Sequence, residues 1–374
     1  MNSFLPEQLQ NWSGGVWHAG LRPVSVNGFS NDTRTLVPGN CFVALRTKQR
    51  DGHTFLNAAA KAGAVAALVE NHVPNTPLAQ LVVDSTLAGL HRIAHHWRLT
   101  LKAPVIGVTG SVGKTSTKNM LGTMLGAEGF ATKANLNNLL GVPLMLLSIE
   151  PARHTSGAVI EAGMSEPGEL EQLAQIICPD VAVITNVQPA HLAGLGSLEA
   201  IAREKSALAH RSAATVFPAS CLAHTAFREL PGRLFPVVFP GDTPPESKGY
   251  EDIFCIQYLD APGGRRIFVS STHNGIAEYF FPESTVGMAR NAAIAAVTAA
   301  MVGIPIKRIR EALAAWHPSA QRGEVHELGG RLFYIDCYNA SPASVIDAAQ
   351  AFDRRTNAGT TGRLFILAGM NELG

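Results

Sequence analysis

The chain has 374 residues, 46% of them hydrophobic and 16% charged, with a formal net charge of +1. That length asks for two or three domains, and that balance gives no reason to expect nucleic acid or an anionic membrane surface as the main partner. Five scattered cysteines without a C-x-x-C pair argue against a disulfide framework or structural zinc, and no apolar run reaches a bilayer's thickness. With no signal peptide apparent at the start, the expectation is a soluble cytoplasmic protein.

Strand-like runs at 41–45, 64–69 and 81–84 alternate with helical patterns at 55–62 and 86–98. This predicts a small α/β domain over 1–103. Within it Ser30, Asn31, Asp32, Thr33 and Arg34 form a polar turn, which reads either as a plain turn or as a grip for a phosphate or base. His91, His95 and His96 sit on the second helix and read as a solvated or partly packed face rather than a metal site.

Lys102, Ala103 and Pro104 make a natural hinge into a second domain over 104–323. A buried strand at 105–108 runs directly into Gly110, Ser111, Val112, Gly113, Lys114 and Thr115, and a helical pattern follows from Ser116 to Leu125. Strand, glycine loop and helix in that order form a phosphate cradle, with backbone N–H groups turned inward and the helix N-terminus adding partial positive charge. Lys114 would reach the terminal phosphates of ATP and the Thr115 hydroxyl would hold Mg²⁺. The full pattern has a further glycine where this chain has Val108.

Beyond the cradle, Asn135, Asn137 and Asn138 suit a loop that offers amides to a polar ligand. A strand at 157–161 ends in Glu161, placed to bind Mg²⁺, and a strand at 179–186 leads to His191. A helix over 197–208 carries Lys205. Strand-like pieces at 254–258, 266–269 and 277–281 suggest a β-rich extension, followed by helices at 288–301, with Asn291 near its start, and 306–314. A third domain opens at about 324 with a strand at 331–335, a helix at 343–352 and a second parallel strand at 363–367. That is too little to cover both faces of a sheet, so the expectation is a chain cut off inside a domain.

Four segments together resemble the Mur ligases, the ATP-dependent amide-forming enzymes of bacterial cell-wall synthesis. They are 110–115 (GSVGKT), 135–143 (NLNNLLGVP), 186–191 (NVQPAH) and 336–342 (DCYNASP), and 369–374 (GMNELG) also matches the family's C-terminal domain. The resemblance implies an α/β fold of three domains: one for a UDP-linked substrate, a central P-loop ATPase with a parallel sheet, and a Rossmann-like C-terminal domain, here incomplete over 324–374. It implies ATP and Mg²⁺ as cofactors, with UDP-N-acetylmuramoyl-tripeptide and D-alanyl-D-alanine joined by a monomer through an acyl phosphate. A sibling ligase adding a single amino acid, and a non-catalytic nucleotide- or UDP-sugar-binding protein, are the alternatives.

Residue by residue, the resemblance implies a uridine nucleotide site at Ser30, Asp32, Thr33 and Arg34, with Asn137 and Asn138 on the same substrate. Gly110 to Ser116, Asn291, Arg322 and Asp336 would hold ATP, with Asn291 at adenine, Asp336 at the ribose and Arg322 as the hinge arginine that reaches ATP. Thr115 and Glu161 match ligands of one Mg²⁺, and His191 a ligand of a second. Lys205 aligns with a lysine that several members carbamylate, which would make it a metal ligand and place it with Lys114 and His191 in the catalytic set. The chain departs from the pattern at Val112, at Gln188, and at Gly287 and Met288, where the family commonly has His-Asn.

Overall fold

The computed structural model describes residues 2–189, 192–273, 275–356, 362–367 and 369–370. By packing, the chain falls into two compact units, one of Met1–Ala103, Thr132–Thr155 and Gln175–Cys178, the other of Pro104–Ala131, Ser156–Ala174 and Pro179–Gly374.

The first unit is built on a five-stranded sheet. Its strands are β1 (Val16–Trp17), β2 (Gly28–Ser30), β3 (Asn40–Val43), β4 (Ala66–Val69) and β5 (Ala79–Val82), in the order β1-β5-β4-β3-β2. β2 to β5 run parallel and β1 closes the edge antiparallel. The helices α1 (Pro6–Ser13), α2 (Leu56–Lys61) and α3 (Thr86–Thr100) belong to this unit. α3 starts where Ser85 Oγ accepts the Ala88 N–H, a side-chain cap that a β-strand exit into a helix commonly uses. His91 Nε2 meets the Leu139 carbonyl at 2.6 Å and His95 Nδ1 the Gln175 carbonyl at 2.7 Å, so both rings serve packing within the unit. Asn138 Oδ1 accepts the Leu140 and Gly141 N–H groups and thereby starts the helix Gly141–Leu147.

The second unit carries a nine-stranded sheet. Its strands are β6 (Val105–Thr109), β7 (Gly129–Ala131), β8 (Gly157–Glu161), β9 (Val181–Ile184), β10 (Ala214–Pro218), β11 (Arg233–Val238), β12 (Phe254–Ala261), β13 (Gly264–Ser271) and β14 (Ala277–Pro282). The order is β14-β13-β12-β11-β10-β9-β6-β8-β7. β7 through β12 are parallel and the last two strands antiparallel. β6, β8, β9 and β10 are buried at every residue, which is why they read as continuous apolar runs and not as alternating ones. The helices α4 (Lys114–Leu125), α5 (Leu198–His210), α6 (Val286–Met301) and α7 (Ile306–Ala314) belong to this unit. Met120, Leu121, Met124 and Leu125 of α4 join Ile294, Val297 and the buried alanines of α6 in one core over the sheet. Each large apolar side chain so buried contributes about 1.5–3 kcal/mol.

The C-terminal segment departs from expectation. β15 (Arg322–Leu328) and β16 (Arg331–Asp336) form an antiparallel hairpin, not the first of two parallel strands, and α8 (Pro342–Arg355) follows. Gly329 and Gly330, both with positive φ (59° and 70°), supply the two-residue turn that such a hairpin needs. Residues 363–367 form no strand. Leu364, Phe365, Ile366 and Leu367 are exposed, and no described strand lies beside them to take their backbone hydrogen bonds.

Candidate nucleotide site

β6 ends at Thr109, and the chain then turns through Gly110 (φ 149°) and Gly113 (φ 88°) before entering α4. A Cβ at Gly110 would lie 1.9 Å from Thr185 Oγ1, and one at Gly113 would lie 2.4 Å from Asn291 Nδ2, so both positions exclude any other residue. α4 begins without a side-chain cap, in contrast to α5, where Ser197 Oγ accepts the Ala200 N–H. The first-turn amides of α4 therefore face the loop with no side chain of the cap residue across them, the arrangement that anion sites at helix N-termini use.

The loop is held from β9. Thr185 Oγ1 donates to the Val112 carbonyl at 2.5 Å, and the Asn186 amide brackets the same residue, donating to its carbonyl at 2.9 Å and accepting its N–H at 3.0 Å. Ser111 Oγ donates to the Gln188 carbonyl at 2.8 Å and accepts the Gln188 N–H at 3.0 Å. Because these contacts use backbone at Val112 and Gln188, the departures of both side chains from the family pattern leave the loop's frame intact. Lys114 Nζ donates to the Gly110 carbonyl at 2.8 Å and the Ser111 carbonyl at 3.2 Å, folded over the loop.

Glu161 is the last residue of β8, and its register partner on β6 is Val108, so the carboxylate emerges level with the start of the loop. It is 2% exposed and accepts the Thr115 hydroxyl at 3.1 Å. A hydroxyl and a carboxylate meeting at the loop mouth form an oxygen-only donor set, which suits a hard divalent cation. Ser116 is buried one position along α4. His191, assigned to a second metal, lies outside the described residues.

Lys205, on α5, is 1% exposed. Burial first, and then the charge of Lys114, push its ammonium well below the usual lysine range, while Glu204 and Cys221 act in the opposite direction. Asn291 lies against Gly113 and so brings α6 to the loop. Arg322 and Asp336 face each other across the β15–β16 hairpin, and the Arg322 guanidinium stacks 3.9 Å from the centroid of Tyr338. Burial raises the Asp336 carboxyl to about 6; Arg322 opposes that rise and Asp347 adds to it.

The other candidate residues lie in the first unit. Ser30 Oγ accepts the Asp32 N–H at 3.2 Å, and both Asp32 oxygens accept from Arg34, the shortest contact being 2.6 Å from Nη2. Hydrogen bonds from the Arg34 side chain and N–H hold the Asp32 carboxyl down at about 2. Thr33 is half-buried at the top of this turn and Arg34 is largely exposed. Asn137 and Asn138 belong to the same unit.

Sequence reasoning missed the Thr185 clamp and two neighbours on α4, Lys118 and Asn119. The spacing of Lys118, one helical turn after Lys114, was the available signal.

Fold and loop together define a P-loop α/β protein with a carboxylate beside the loop threonine. The Mur ligase middle domain model matches residues 108–230. The UDP-N-acetylmuramoyl-tripeptide–D-alanyl-D-alanine ligase of Bacillus subtilis is 31% identical over 355 residues, spanning 93% of this chain and 74% of that protein. A crystal structure of MurF from Acinetobacter baumannii superposes with a TM-score of 0.80 at 28% identity, covering 96% of this chain and 78% of that one. The Thermotoga maritima MurF ligase in complex with ADP gives 0.71 at 26% identity, covering 87% and 74%. The chain belongs to the Mur ligase family, on its UDP-N-acetylmuramoyl-tripeptide–D-alanyl-D-alanine ligase branch. Among the described residues no helix is long and apolar enough to cross a membrane.

Proposed function

We propose that this chain is an ATP-dependent amide ligase of peptidoglycan precursor synthesis that joins D-alanyl-D-alanine to UDP-N-acetylmuramoyl-tripeptide. The observation that carries it is the cradle itself: an uncapped α4 behind two obligatory glycines, with Lys114 over the loop and Thr115 against Glu161. The T. maritima relative, crystallised with ADP, supports a nucleotide as its occupant.

In this reading the loop amides from Gly110 to Ser116 grip the ATP phosphates, and Lys114 leaves its two carbonyls for the β-phosphate and the γ-phosphoryl group. The tripeptide carboxylate attacks that phosphorus, ADP leaves, and Lys114 with the helix N-terminus stabilises the charge that develops. The amine of D-alanyl-D-alanine then attacks the acyl phosphate, the amide forms, and phosphate departs. Mg²⁺ held by Thr115 and Glu161 would supply charge neutralisation at the phosphates. Lys205, with its ammonium disfavoured by burial and by Lys114, is suited to react as the neutral amine with CO₂. The carbamate so formed would serve beside His191 as a ligand for a second Mg²⁺. Asn291 would contact adenine, Asp336 the ribose and Arg322 the phosphates. Ser30, Asp32, Thr33 and Arg34, with Asn137 and Asn138, would take the UDP-linked substrate.

We assign 1–103 to that substrate, 104–323 to ATP, and 324–374 to the opening of the C-terminal domain. We take the enzyme as a cytoplasmic monomer, because it draws on ATP and a UDP-activated precursor.

Phosphate release with UDP-N-acetylmuramoyl-tripeptide and either D-alanyl-D-alanine or single amino acids tests the reading. Release that depends on the dipeptide is expected, and release with a single amino acid but none with the dipeptide overturns it. In the same assay Lys114→Ala should abolish turnover. It should also weaken ADP binding by about 30-fold or more, since truncating one partner of a charged hydrogen-bonded pair costs about 2 kcal/mol at least.

A further inference from the structure

Lys118 has no part in the roles above. It lies one helical turn beyond Lys114 and three residues beyond Thr115, so its side chain leaves α4 on the face that carries Thr115. α4 packs against β8, and on that face Thr115 donates to Glu161, the last residue of β8, at 3.1 Å. Lys118 is 4% exposed and Glu161 2%. An ammonium this deeply buried is stable only beside an anion. Burial and then Arg322 push the Lys118 ammonium down, whereas the Glu161 charge favours it.

The next residue ties α4 to the hairpin. Asn119 Nδ2 donates to Ser319 Oγ at 2.7 Å, and the Ser319 carbonyl accepts the Arg322 N–H at 3.1 Å. This link brings Arg322 toward α4, whose Thr115 donates to Glu161 at the loop mouth.

We propose that Lys118 is a positioning residue of the nucleotide site, its buried ammonium fixing the Glu161 carboxylate beside Thr115 so that a divalent cation meets a preset pair of oxygens. The proposal rests on the nucleotide-binding reading above. Groups that orient a metal ligand are commonly worth about 10- to 100-fold in metal affinity. Lys118 touches neither substrate nor metal in this role; it acts through Glu161.

The test is titration of the full chain with a fluorescent ADP analogue, with and without Mg²⁺, for wild type, Lys118→Met and Lys118→Arg. Methionine keeps the apolar stem and removes the charge. The Met variant is expected to hold its Mg²⁺-free affinity within about threefold and to lose about 10-fold or more of the Mg²⁺-dependent gain. The Arg variant is expected to recover most of that gain. A Met variant that melts at lower temperature yet keeps the wild-type Mg²⁺ dependence overturns the proposal and leaves Lys118 a structural charge. Should Lys118→Met not fold, Lys118→Gln is measured under the same two criteria. Wild type that fails to bind the analogue at all overturns the nucleotide reading itself, which separates the two failures.

Discussion

Asp336 shows how a ligand-binding side chain trades against stability. Its carboxyl titrates near 6, above the ordinary 3.8, because burial and the Asp347 charge disfavour the anion more than Arg322 favours it. The folded state therefore holds the proton more tightly than the unfolded chain does. The stability this provides is present below about pH 4 and is lost as pH rises through about 6. Asp336→Asn should consequently raise stability at pH 7.5, by on the order of 1 kcal/mol after allowance for the side chain's partial exposure, with little effect at pH 4. Urea denaturation at the two pH values measures this, and equal shifts at both would refute it. If Asp336 takes the ribose, the same variant should weaken ADP binding, and wild-type affinity should fall as pH drops below about 6. Lys205 makes the complementary point about legibility. Its helix was readable from periodicity, but nothing local distinguishes it from a solvated lysine, because its burial comes from elements distant in sequence.

Among elements, α6 is the junction between the cradle and the C-terminal hairpin. Its first N–H groups are taken by Asp347 of α8, at 3.0 Å from Val286 and 2.8 Å from Gly287, and by Thr285 Oγ1, at 3.0 Å from Met288. A Cβ at Gly287 would lie 2.6 Å from Asp347 Oδ2, so the glycine that replaces the family's common histidine is what admits the carboxylate. Gly287→Ala should push α8 away and cost about 1 kcal/mol, the usual worth of a helix cap. Hydrogen exchange over 342–355 should accelerate in that variant, and unchanged protection would show that Asp347 does not anchor α8. The elements of the cradle were legible because strand, glycines and helix are adjacent in sequence and each carries its own periodicity. β15 was not, since its alternation is weak and the Gly329-Gly330 turn was the only strong cue. The run 363–367 was read as a strand because it is apolar, but a strand is defined by its neighbours, and none among the described residues pairs with it.

For the molecule as a whole, the division of the chain into two compact units puts the two proposed nucleotide grips on different bodies: Arg34 in one, Lys114 in the other. Packing does not follow chain order throughout. Residues 132–155 leave the cradle's unit and pack with the first, carrying Asn137 and Asn138 to the unit that holds Ser30 to Arg34. If each grip is self-contained, UDP and ADP should stabilise the protein independently. A ligand at a hundredfold its Kd adds about 2.7 kcal/mol through mass action alone, enough for a clear rise in melting temperature. Arg34→Ala should remove the rise caused by UDP and leave that caused by ADP, because Arg34 is exposed and its present partner, Asp32, is local. Lys114→Ala should do the reverse. Thermal melts of both variants with each nucleotide decide the matter: loss of both shifts in either variant would mean that the two grips do not act separately, and an intact UDP shift in Arg34→Ala would remove the Ser30–Arg34 turn from the substrate site.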